Sequence, residues 1–570
     1  MKYFALACDY DGTLALNGRV NDETIAALKR VQNSGRKLIL VTGRELEPLT
    51  QVFPRLDLFD RVVAENGALL YRPATREEKL LCSSPSEELV ALLNQRGVAP
   101  LSVGRCIVAT WTPHETTVLE AIHELGLELQ VIFNKGAVMV LPSGVNKAFG
   151  LTAALSELGF SPHNVVGIGD AENDHAFLSL CECSAAVANA LPKVKETADF
   201  VTRGDHGVGV IELIGQLLAT DLSELEAKLA RHQILLGTRP DGQEFHLPPF
   251  GISFLIAGTS GGGKSTLATG FLERLAEQGY QFCIIDPEGD YQNFDGVVVL
   301  GDSKRPPTTQ EVVQLLEQPQ QNAIINLLGI ALEHRPAFFD ELFPALLELR
   351  TRTGRPHWIV IDETHHLLPA SWEPSATLVP QELHGLVLIT VHPEHVAPPI
   401  LNQVDLILAI GEAPQQTIRA FCEVGGETVP SLPVVKLQPG DAIAWSRRPP
   451  VEPFWFRSVP PRSEHQRHIR KYAEGEMTHD RVFYFRGPEG KLNLKAQNLM
   501  IFTQIAEGVD DETWQYHLQR GDYSRWFRQA VKDEELAVET EAIEQNENLS
   551  AQQSRALIKE RIETRYTKPA

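Results

Sequence analysis

Two carboxylates near the N-terminus, Asp9 and Asp11, directly follow an apolar run over residues 3–8. The run predicts a buried strand, and side chains at positions i and i+2 of a strand share one face, so both acids are expected to enter one pocket. Gly12 allows a sharp turn, and the Thr13 hydroxyl can bind a phosphate oxygen. A carboxylate nucleophile with a second carboxyl group as proton carrier is suited to covalent phosphoryl transfer. This chemistry also requires Mg²⁺ and a lysine to neutralise the transferred group.

A further candidate phosphate contact, Thr42, comes directly after another apolar run, residues 37–41. A hydroxyl at the carboxyl end of a buried strand, followed here by Gly43, is well placed to hold a phosphoryl oxygen. A third predicted strand, near residues 61–63, leads to Asn66. The Asn-Gly pair there is explained equally well as a plain turn and as a contact with substrate, so both readings stay open.

Charged side chains of the required types follow later in the first third of the chain. Lys147 stands at the predicted start of a helix, where it would face anions, although a lysine in such a place is ordinarily a solvated surface residue. Asp170 and Asp174 follow the apolar run 165–169. Together with the first two acids they predict an oxygen-rich site for Mg²⁺.

Residues from about 73 to 141 interrupt the alternation of strands and helices. Their pattern predicts a small α+β insertion with a helix over 86–95, a strand over 106–111, a helix over 115–125 and a hairpin around 134–136. Such an insertion can close over a site and exclude water.

Four motifs in this order resemble those of the haloacid dehalogenase superfamily: Asp9-x-Asp11-Gly12-Thr13, Thr42-Gly43-Arg44, Lys147 and Gly169-Asp170-x-x-Asn173-Asp174. The insertion resembles the cap of its Cof-type, subfamily IIB branch, which is sugar-phosphatase-like. The resemblance covers about residues 1–215 and implies that Asp9 forms an aspartyl-phosphate while Asp11 acts as general acid and base. It implies phosphate or substrate contacts from Thr42, Gly43, Asn66 and Lys147. It implies Mg²⁺ ligands among Asp9, Asp11, Asp170 and Asp174.

A second phosphate site is predicted where the apolar run 252–257 enters Gly258-Thr259-Ser260-Gly261-Gly262-Gly263-Lys264-Ser265. This is a G-x-x-x-x-G-K-S loop between a predicted strand and a predicted helix. Its backbone N–H groups can surround phosphates, the lysine can reach the β and γ groups, and the serine can hold Mg²⁺. The predicted nucleotide-binding residues are Gly258, Gly261, Gly263, Lys264, Ser265 and Thr266.

Two acids, Asp362 and Glu363, directly follow the predicted strand over residues 358–361. Asp362 is expected in the Mg²⁺ shell, and Glu363 is expected to polarise the attacking water, which predicts hydrolysis of ATP. His392 follows the apolar run 386–391, where a γ-phosphate sensor would lie. The layout over about 230–450 resembles P-loop ATPases of the HerA/FtsK type, whose usual sensor glutamine is His392 here. The resemblance implies a RecA-like domain and a homo-oligomer through it; motor function rests on analogy alone.

Composition limits the remaining classes of function. The 570 residues carry a net charge of −22, which argues against a dominant DNA-coating surface but leaves nucleic-acid binding open. The seven cysteines are odd in number, which favours a reducing compartment over a disulfide framework. No apolar run is long enough for a membrane span. We therefore expect a cytoplasmic protein without membrane contact.

The fold class expected is α/β. We expect a haloacid dehalogenase domain with a Rossmann-like parallel sheet over 1–218, its small α+β, C2-type cap at about 73–141. A linker helix and hairpin over 219–250, a RecA-like P-loop domain over 251–448 and a helical module over 465–570 are expected to follow. The acidic end of that module is expected to be either a solvated helix or partly disordered.

The leading expectation is a Mg²⁺-dependent phosphomonoesterase for a small phosphorylated metabolite, a sugar phosphate or a compound like phosphoglycolate, fused to an ATP-hydrolysing module. One alternative is an ATP-driven motor or assembly protein with a regulatory phosphatase-like domain. Another is a nucleotide-sensing module that gates the phosphatase. ATP-dependence of phosphate release and oligomer-dependent ATP turnover distinguish the three.

Overall fold

The computed structural model describes residues 1–259, 262–292, 294–372, 383–433, 437–462, 482–531, 533–546 and 549–566. Buried apolar side chains form separate cores in an N-terminal unit (residues 1–229), a central unit (residues 234–458) and a C-terminal unit (residues 482–566). The first two units are each built on a large, mainly parallel sheet, and the expected α/β class is confirmed. No helix among the described residues has the length and apolarity needed to cross a bilayer.

The sheet of the N-terminal unit is parallel from one edge through its centre and ends in two antiparallel strands at the other edge. Its central strands are apolar runs buried on both faces, as is usual in a parallel sheet. Strand Ala5–Asp9 is fully buried and lies between Lys37–Val41 and Val165–Gly169. The order across the sheet is Phe200–Val201, Cys183–Ala186, Val165–Gly169, Ala5–Asp9, Lys37–Val41, Arg61–Ala64, Leu69–Arg72 and Glu77–Leu80. The α-helices are Asp22–Asn33, Leu46–Val52, Lys147–Leu158, His175–Leu180, Pro192–Thr197 and His206–Thr220.

The insertion is a four-stranded antiparallel sheet with two helices and a small core of its own. The helices Glu87–Gln95 and Glu115–Glu124 lie close to the predicted positions. The strand order is Ser102–Val103, Val108–Trp111, Ala137–Pro142 and Leu129–Asn134. The last two strands form the predicted hairpin, with Lys135 and Gly136 at its turn in positive-φ conformations.

The sheet of the central unit is parallel at one side and becomes antiparallel at the other. Its order is Glu244–Leu247, Ile234–Thr238, Phe454–Ser458, Asp441–Ser446, Leu406–Ile410, Phe254–Gly258, Leu386–Thr390, Trp358–Ile361, Phe282–Asp286, Ala323–Asn326 and Val298–Leu300. The α-helices are Lys264–Glu277, Thr309–Leu316, Arg335–Thr353, Thr364–Leu367, Pro398–Leu401 and Pro414–Gly425. Apolar cores cover both faces of the sheet.

The predicted linker helix over residues 221–231 is wrong, whereas the hairpin after it is confirmed. Helix His206–Thr220 ends because Asp221 and Leu222 adopt positive φ angles of 53° and 60°, which a right-handed helix cannot continue through. Short 3₁₀ turns, Ser223–Lys228 and Ala230–His232, follow it. Charge periodicity alone does not distinguish such turns from a solvated α-helix.

The C-terminal unit begins with a small hairpin, Phe483–Phe485 and Leu494–Ala496, before its helices. The helices are Leu499–Gly508, Asp511–Gln519, Asp522–Trp526, Glu534–Glu544 and Ala551–Tyr566. Trp514, Tyr523 and Phe527 are buried, so the aromatic residues of this region form core packing. The acidic segment that follows forms helices whose apolar faces join this core.

The N-terminal and central units meet at the ends where their parallel strands begin. Asn164, which directly precedes strand Val165–Gly169, contacts the carbonyl of Gly354 through Nδ2 at 3.5 Å. Arg355, which precedes strand Trp358–Ile361, donates from Nη2 to a backbone carbonyl of the N-terminal unit at 2.6 Å. The motif residues of both units lie at the opposite, carboxyl ends of their strands.

Candidate functional site

The first candidate site lies where the central strands of the N-terminal sheet end. Asp9 is the last residue of its strand, Thr42 follows the neighbouring strand on one side, and Asp170 follows the neighbouring strand on the other. Parallel strands end at one edge of a sheet, so residues far apart in the chain are brought together there. The structure thereby assembles the motifs that the sequence analysis singled out.

Lys147 is the centre of this site. It opens helix Lys147–Leu158, whose N-cap is Asn146, and its side chain is only 1% exposed. Its Nζ lies 2.6 Å from Asp9 Oδ1 and 2.5 Å from Asp174 Oδ1. The reading of Lys147 as a solvated surface residue is therefore wrong, because the helix start is turned into the pocket and two carboxylates pair with the ammonium group.

The buried charges shift one another's protonation. Burial and the neighbouring Asp174 raise the pKa of Asp9 well above its usual range, and Lys147 opposes that shift. Burial acts to lower the pKa of Lys147, but Asp174 and Asp9 more than offset it and leave that pKa raised. The lysine is therefore held charged among the acids, where it can neutralise a phosphoryl group.

Three carboxylates, those of Asp9, Asp170 and Asp174, bring ligand oxygens within 4.8 Å of one another, and all three residues are buried. An all-oxygen donor set of this kind fits a hard divalent cation such as Mg²⁺. Asp174 is also held in place by the backbone N–H groups of Asp170 and Ala171, at 2.7 and 2.9 Å. The Thr13 hydroxyl donates to Asp170 Oδ1 at 3.3 Å.

The carboxylate of Asp11 does not join this group. It is 42% exposed and forms a bidentate ion pair with Arg44, whose Nε and Nη2 lie 2.6 and 2.7 Å from its two oxygens. Arg44 belongs to a motif that the sequence analysis noted, but its pairing with Asp11 was not predicted. A sequence shows no signal for that pairing, since the two residues lie on different strand ends.

A cap residue, Lys135, also reaches the site and was missed by the sequence analysis. Its Nζ lies 2.5 Å from Asp170 Oδ2, and its side chain is 47% exposed. Gly12 leaves the necessary room, because a Cβ at this position (φ 86°) would lie 2.3 Å from the same Asp170 oxygen. The predicted hairpin located Lys135 at a turn, but only the placement of the cap over the sheet shows that it enters the pocket.

The remaining predicted residues lie around the same edge. Asn66 is buried in a left-handed conformation (φ 55°), and its Oδ1 accepts from Asn173 Nδ2 at 3.0 Å. Its backbone N–H donates to the Thr42 carbonyl at 3.0 Å. The interpretation of Asn66 as a turn residue is therefore confirmed, and its contact with Asn173 of the fourth motif places it near the site, whereas its contact with substrate stays a prediction. The Cα of Gly43 faces Asn173 Nδ2, which would lie 3.5 Å from an added Cβ.

The second candidate site lies at the carboxyl end of strand Phe254–Gly258, where the glycine-rich loop begins. Gly258 is required there, because a Cβ would lie 2.1 Å from the carbonyl oxygen of Ile410. Gly263 caps helix Lys264–Glu277 with a φ of 97°. Lys264 Nζ donates to the carbonyls of Gly258 and Thr259 at 3.1 Å each. Ser265 and Thr266 lie in the first turn of that helix, and Gly261 is outside the described residues.

Asp362 and Glu363 follow strand Trp358–Ile361, which is separated from the loop strand by Leu386–Thr390 alone. Asp362 is 4% exposed and accepts from the Glu363 N–H at 2.9 Å. Glu363 adopts a left-handed conformation (φ 42°), a strain that is frequent at functional sites. His392 is half exposed, with its Nδ1 3.0 Å from a carboxylate oxygen of Glu394.

We expect His365, two residues after Glu363, to make the folding stability of the central unit depend on pH. Burial, and then the neighbours His366, His392 and His395, lower the pKa of His365 to about 4. An unfolded histidine binds a proton near pH 6.5, so between pH 6.5 and 4 the unfolded chain binds more protons than the folded one. Folding stability must fall as the pH is lowered through that window.

We expect the Tm of the central unit to drop less between pH 7 and pH 4.5 in His365→Asn than in the parent protein. Calorimetry at both pH values measures this, with His334→Asn, at an exposed position, as the matched control. Equal losses of Tm in the parent protein and in His365→Asn would contradict the shifted pKa of His365.

Comparison with known proteins divides the chain in the same way. A family described as haloacid dehalogenase-like hydrolase matches residues 6–105 and 117–214, and one described as Helicase HerA, central domain, matches residues 250–355. Both resemblances indicated by the motifs are thereby confirmed. The second match ends before Asp362, so it does not include the two acids.

Similar proteins cover the N-terminal part of the chain. Phosphoglycolate phosphatase from Methanothermobacter thermautotrophicus is 30% identical over 224 residues, which is 38% of this chain and 98% of that protein. Phosphoglycolate phosphatase 2 from Saccharolobus solfataricus is 29% identical over 219 residues, 38% of this chain and 92% of that protein. The solved structure of a haloacid dehalogenase-like hydrolase from Bacteroides thetaiotaomicron is 19% identical, with a TM-score of 0.34, and covers 38% of this chain and 100% of its own.

Proposed function

Since this chain belongs to the haloacid dehalogenase-like hydrolases through residues 6–214 and is a phosphatase, we propose that it hydrolyses a small, acidic phosphate monoester through an aspartyl-phosphate on Asp9. A sugar phosphate is the other candidate class of substrate. The observation that supports the proposal most is the buried cluster in which Lys147 bridges Asp9 and Asp174. A lysine held charged beside a nucleophilic carboxylate is what phosphoryl transfer requires.

The donor set of the cluster fits Mg²⁺, with Asp9, Asp170 and Asp174 as the residues that would hold it. When bound, the cation neutralises charge on the phosphoryl oxygens. Lys147 adds a second positive charge from the protein side. Thr42 and Gly43, at the neighbouring strand end, are proposed to bind the remaining phosphoryl oxygens.

In the proposed reaction, a carboxylate oxygen of Asp9 attacks phosphorus and the bond from phosphorus to the ester oxygen breaks. Asp11 donates a proton to the departing alkoxide, so an alcohol leaves. A water molecule then attacks the aspartyl-phosphate and gives its proton to Asp11, which releases phosphate and restores Asp9. For this role, Asp11 must leave its ion pair with Arg44, and an anionic substrate would offer Arg44 another partner.

The acidic character of the substrate is proposed from Lys135. This cap lysine enters the pocket beside Asp170, and a bound cation there would release it to pair with a second anionic group of the substrate. The relatives in Methanothermobacter and Saccharolobus are phosphoglycolate phosphatases, and phosphoglycolate carries a carboxylate beside its phosphate.

We expect Lys135→Ala to raise KM for 2-phosphoglycolate about 10-fold at saturating Mg²⁺, because one charge-assisted hydrogen bond contributes about 1.5 kcal/mol. KM for p-nitrophenyl phosphate, which lacks a second anion, should change little. Steady-state kinetics with both esters measure the difference, and Lys193→Ala, at an exposed position, is the matched control. An equal rise in KM for both esters would refute the specificity role.

For the central unit we propose ATP binding and hydrolysis. Lys264 and the loop backbone would hold the phosphates, Ser265 and Asp362 would hold Mg²⁺, and Glu363 would polarise the attacking water. The match to the Helicase HerA central domain supports this, as does the closeness of the loop strand to the strand that carries both acids. His392 stays a candidate sensor. A cytoplasmic location is part of the same proposal.

The Helicase HerA match also favours a second candidate function, an ATP-driven motor or assembly protein in which the phosphatase part is regulatory. ATP turnover that depends on an oligomer and is stimulated by DNA would favour the motor. Phosphate release from a metabolite that changes with ATP in a monomer would favour a gating role for the central unit.

The experiment that tests the proposed function is phosphate release from a panel of phosphorylated metabolites, with Mg²⁺, by the full-length protein with and without ATP. We expect turnover without ATP and a preference for acidic esters. If no ester released phosphate while the protein hydrolysed ATP robustly, the main activity would be that of the central unit and not of the phosphatase.

A further inference from the structure

A buried polar cluster lies where the N-terminal unit meets the central unit, far from both candidate sites. His163 stacks on Tyr280 of the central unit, with ring centroids 3.7 Å apart. The Tyr280 hydroxyl donates to Glu182 Oε2 at 2.8 Å. His232, in the last turn before the central unit, lies beside them. The cluster therefore joins residues of both units and of the segment that connects them.

His163 has an acceptor at each ring nitrogen. Its Nδ1 lies 2.8 Å from Glu182 Oε2, and its Nε2 lies 2.8 Å from the backbone carbonyl oxygen of Gln278. A neutral imidazole has one N–H and can satisfy one of the two. The other nitrogen then faces an acceptor with its own lone pair. A second proton or a metal ion between the two atoms would remove that repulsion.

Two more atoms of the cluster are buried without a hydrogen bond. Glu182 Oε1 and His232 Nε2 are buried and have no hydrogen-bond partner among the described residues; Lys2 Nζ lies 3.9 Å from that Glu182 oxygen. His232 Nε2 lies 3.8 Å from Glu182 Oε2. One ligand atom from each of His163, Glu182 and His232 lies within 4.8 Å of the other two. A buried orphaned atom is costly unless something binds it.

We propose that His163, Glu182 and His232 bind a transition-metal ion, Zn²⁺, at this junction. Two imidazole nitrogens and one carboxylate oxygen are a donor set that zinc prefers over Mg²⁺. Ligand atoms at about 2.0–2.1 Å from a tetrahedral ion are about 3.3 Å apart, between the observed 2.8 and 3.8 Å. The Nε2 of His163 would donate to the Gln278 carbonyl, the outer bond that metal-bound histidines commonly make.

The role of this ion is structural. Its ligands come from the turn Pro162–Asn164, from the residue before strand Cys183–Ala186 and from the turn Ala230–His232. The ion would tie the connecting segment to the N-terminal unit at the place where the central unit packs on it. Gln278 directly follows the helix that begins at Lys264, so the same junction fixes the far end of that helix.

The test uses the full-length protein, exposed to Zn²⁺ alone in excess Mg²⁺, which keeps the oxygen-only sites filled, and then gel-filtered. We expect one zinc per chain by elemental analysis, and a tetrahedral absorption spectrum when Co²⁺ replaces Zn²⁺. In His163→Gln, Glu182→Gln and His232→Gln, affinity should fall by more than about 100-fold, beyond the cost of removing an outer partner. Zn²⁺ should raise the Tm of the parent protein but not of these variants.

The matched control is His395→Gln, which alters an exposed His-Glu-His group of the central unit and should leave the bound zinc unchanged. Loss of zinc in the control but not in His232→Gln would overturn the proposal. So would a parent protein that retains no zinc after gel filtration. The zinc content and cobalt spectrum of the parent protein decide this even where a variant does not fold.

Discussion

Replacing Asp9 with asparagine should lower phosphate release from metabolites by at least about 10³-fold while leaving ATP hydrolysis unchanged. The amide keeps the shape of the side chain but is a poor nucleophile, so no aspartyl-phosphate can form. Lys147 keeps its pairing with Asp174, so the fold should survive the change. Release of phosphate from 2-phosphoglycolate and from ATP, measured on the same preparation, tests both parts of the expectation.

The matched control for this variant is Asp57→Asn, because Asp57 is an exposed partner of Arg55 away from the site. It should retain full activity towards both substrates. Unimpaired metabolite hydrolysis by Asp9→Asn, with an unchanged Tm, would show that Asp9 is not the nucleophile. Loss of ATP hydrolysis in the same variant would show instead that the two units depend on each other.

For the glycine-rich loop we expect the reverse result, a loss of ATP hydrolysis without a loss of phosphatase activity. Lys264→Ala should lower ATP hydrolysis by roughly 10²-fold or more, because the β and γ phosphates lose their cation, and should leave the phosphatase intact. Glu363→Gln should cause a loss of similar size for another reason, since it removes the group that polarises water. Only the lysine variant should also lose ATP binding.

Nucleotide binding by calorimetry and ATP turnover by phosphate release distinguish the two variants. Lys304→Ala, at an exposed position of the same unit, serves as the control for charge. Normal turnover in Lys264→Ala would disprove the nucleotide site, and lost binding in Glu363→Gln would show that Glu363 holds the nucleotide and does not activate water.

The strands and their ends could be predicted from the sequence because the parallel strands of both sheets are continuous apolar runs. Such runs are buried on both faces, and polar residues directly after them must meet at one edge. This is why Asp9 and Asp170, which are 161 positions apart in the numbering, could be placed in one site. The fold class and the two families follow from the same pattern and its motifs.

Contacts that depend on how separate elements pack could not be predicted. The burial of Lys147 depends on the direction in which its helix start faces, and a lysine in isolation is usually exposed. Lys135 reaches Asp170 only because the cap lies over the sheet. Likewise, the linker was predicted to be helical because the helix before it ends at Asp221 and Leu222. These two residues adopt left-handed conformations, and their residue types do not indicate this.

The junction shows the same limit most clearly. His163, Glu182 and His232 lie far apart in the sequence, with strand Val165–Gly169 between the first two. None of the three belongs to a motif with a known spacing. A motif search finds local spacings, whereas this cluster arises from the contact between two units. Only buried atoms without partners draw attention to it.

The meeting of the two units at the starts of their strands determines how their activities can be related. The candidate catalytic sites lie at the carboxyl ends of strands Ala5–Asp9 and Phe254–Gly258, whereas the units meet at the opposite ends of their strands, so the lengths of both five-residue strands, roughly 17 Å each, lie between the two sites. A phosphoryl group cannot be relayed across that span, and a product of one pocket must cross bulk solvent before it meets the other. Covalent fusion therefore keeps the two units in equal number and in one place, but it does not provide a channel between their sites. Any ring assembled through the central unit would carry one phosphatase active site per subunit.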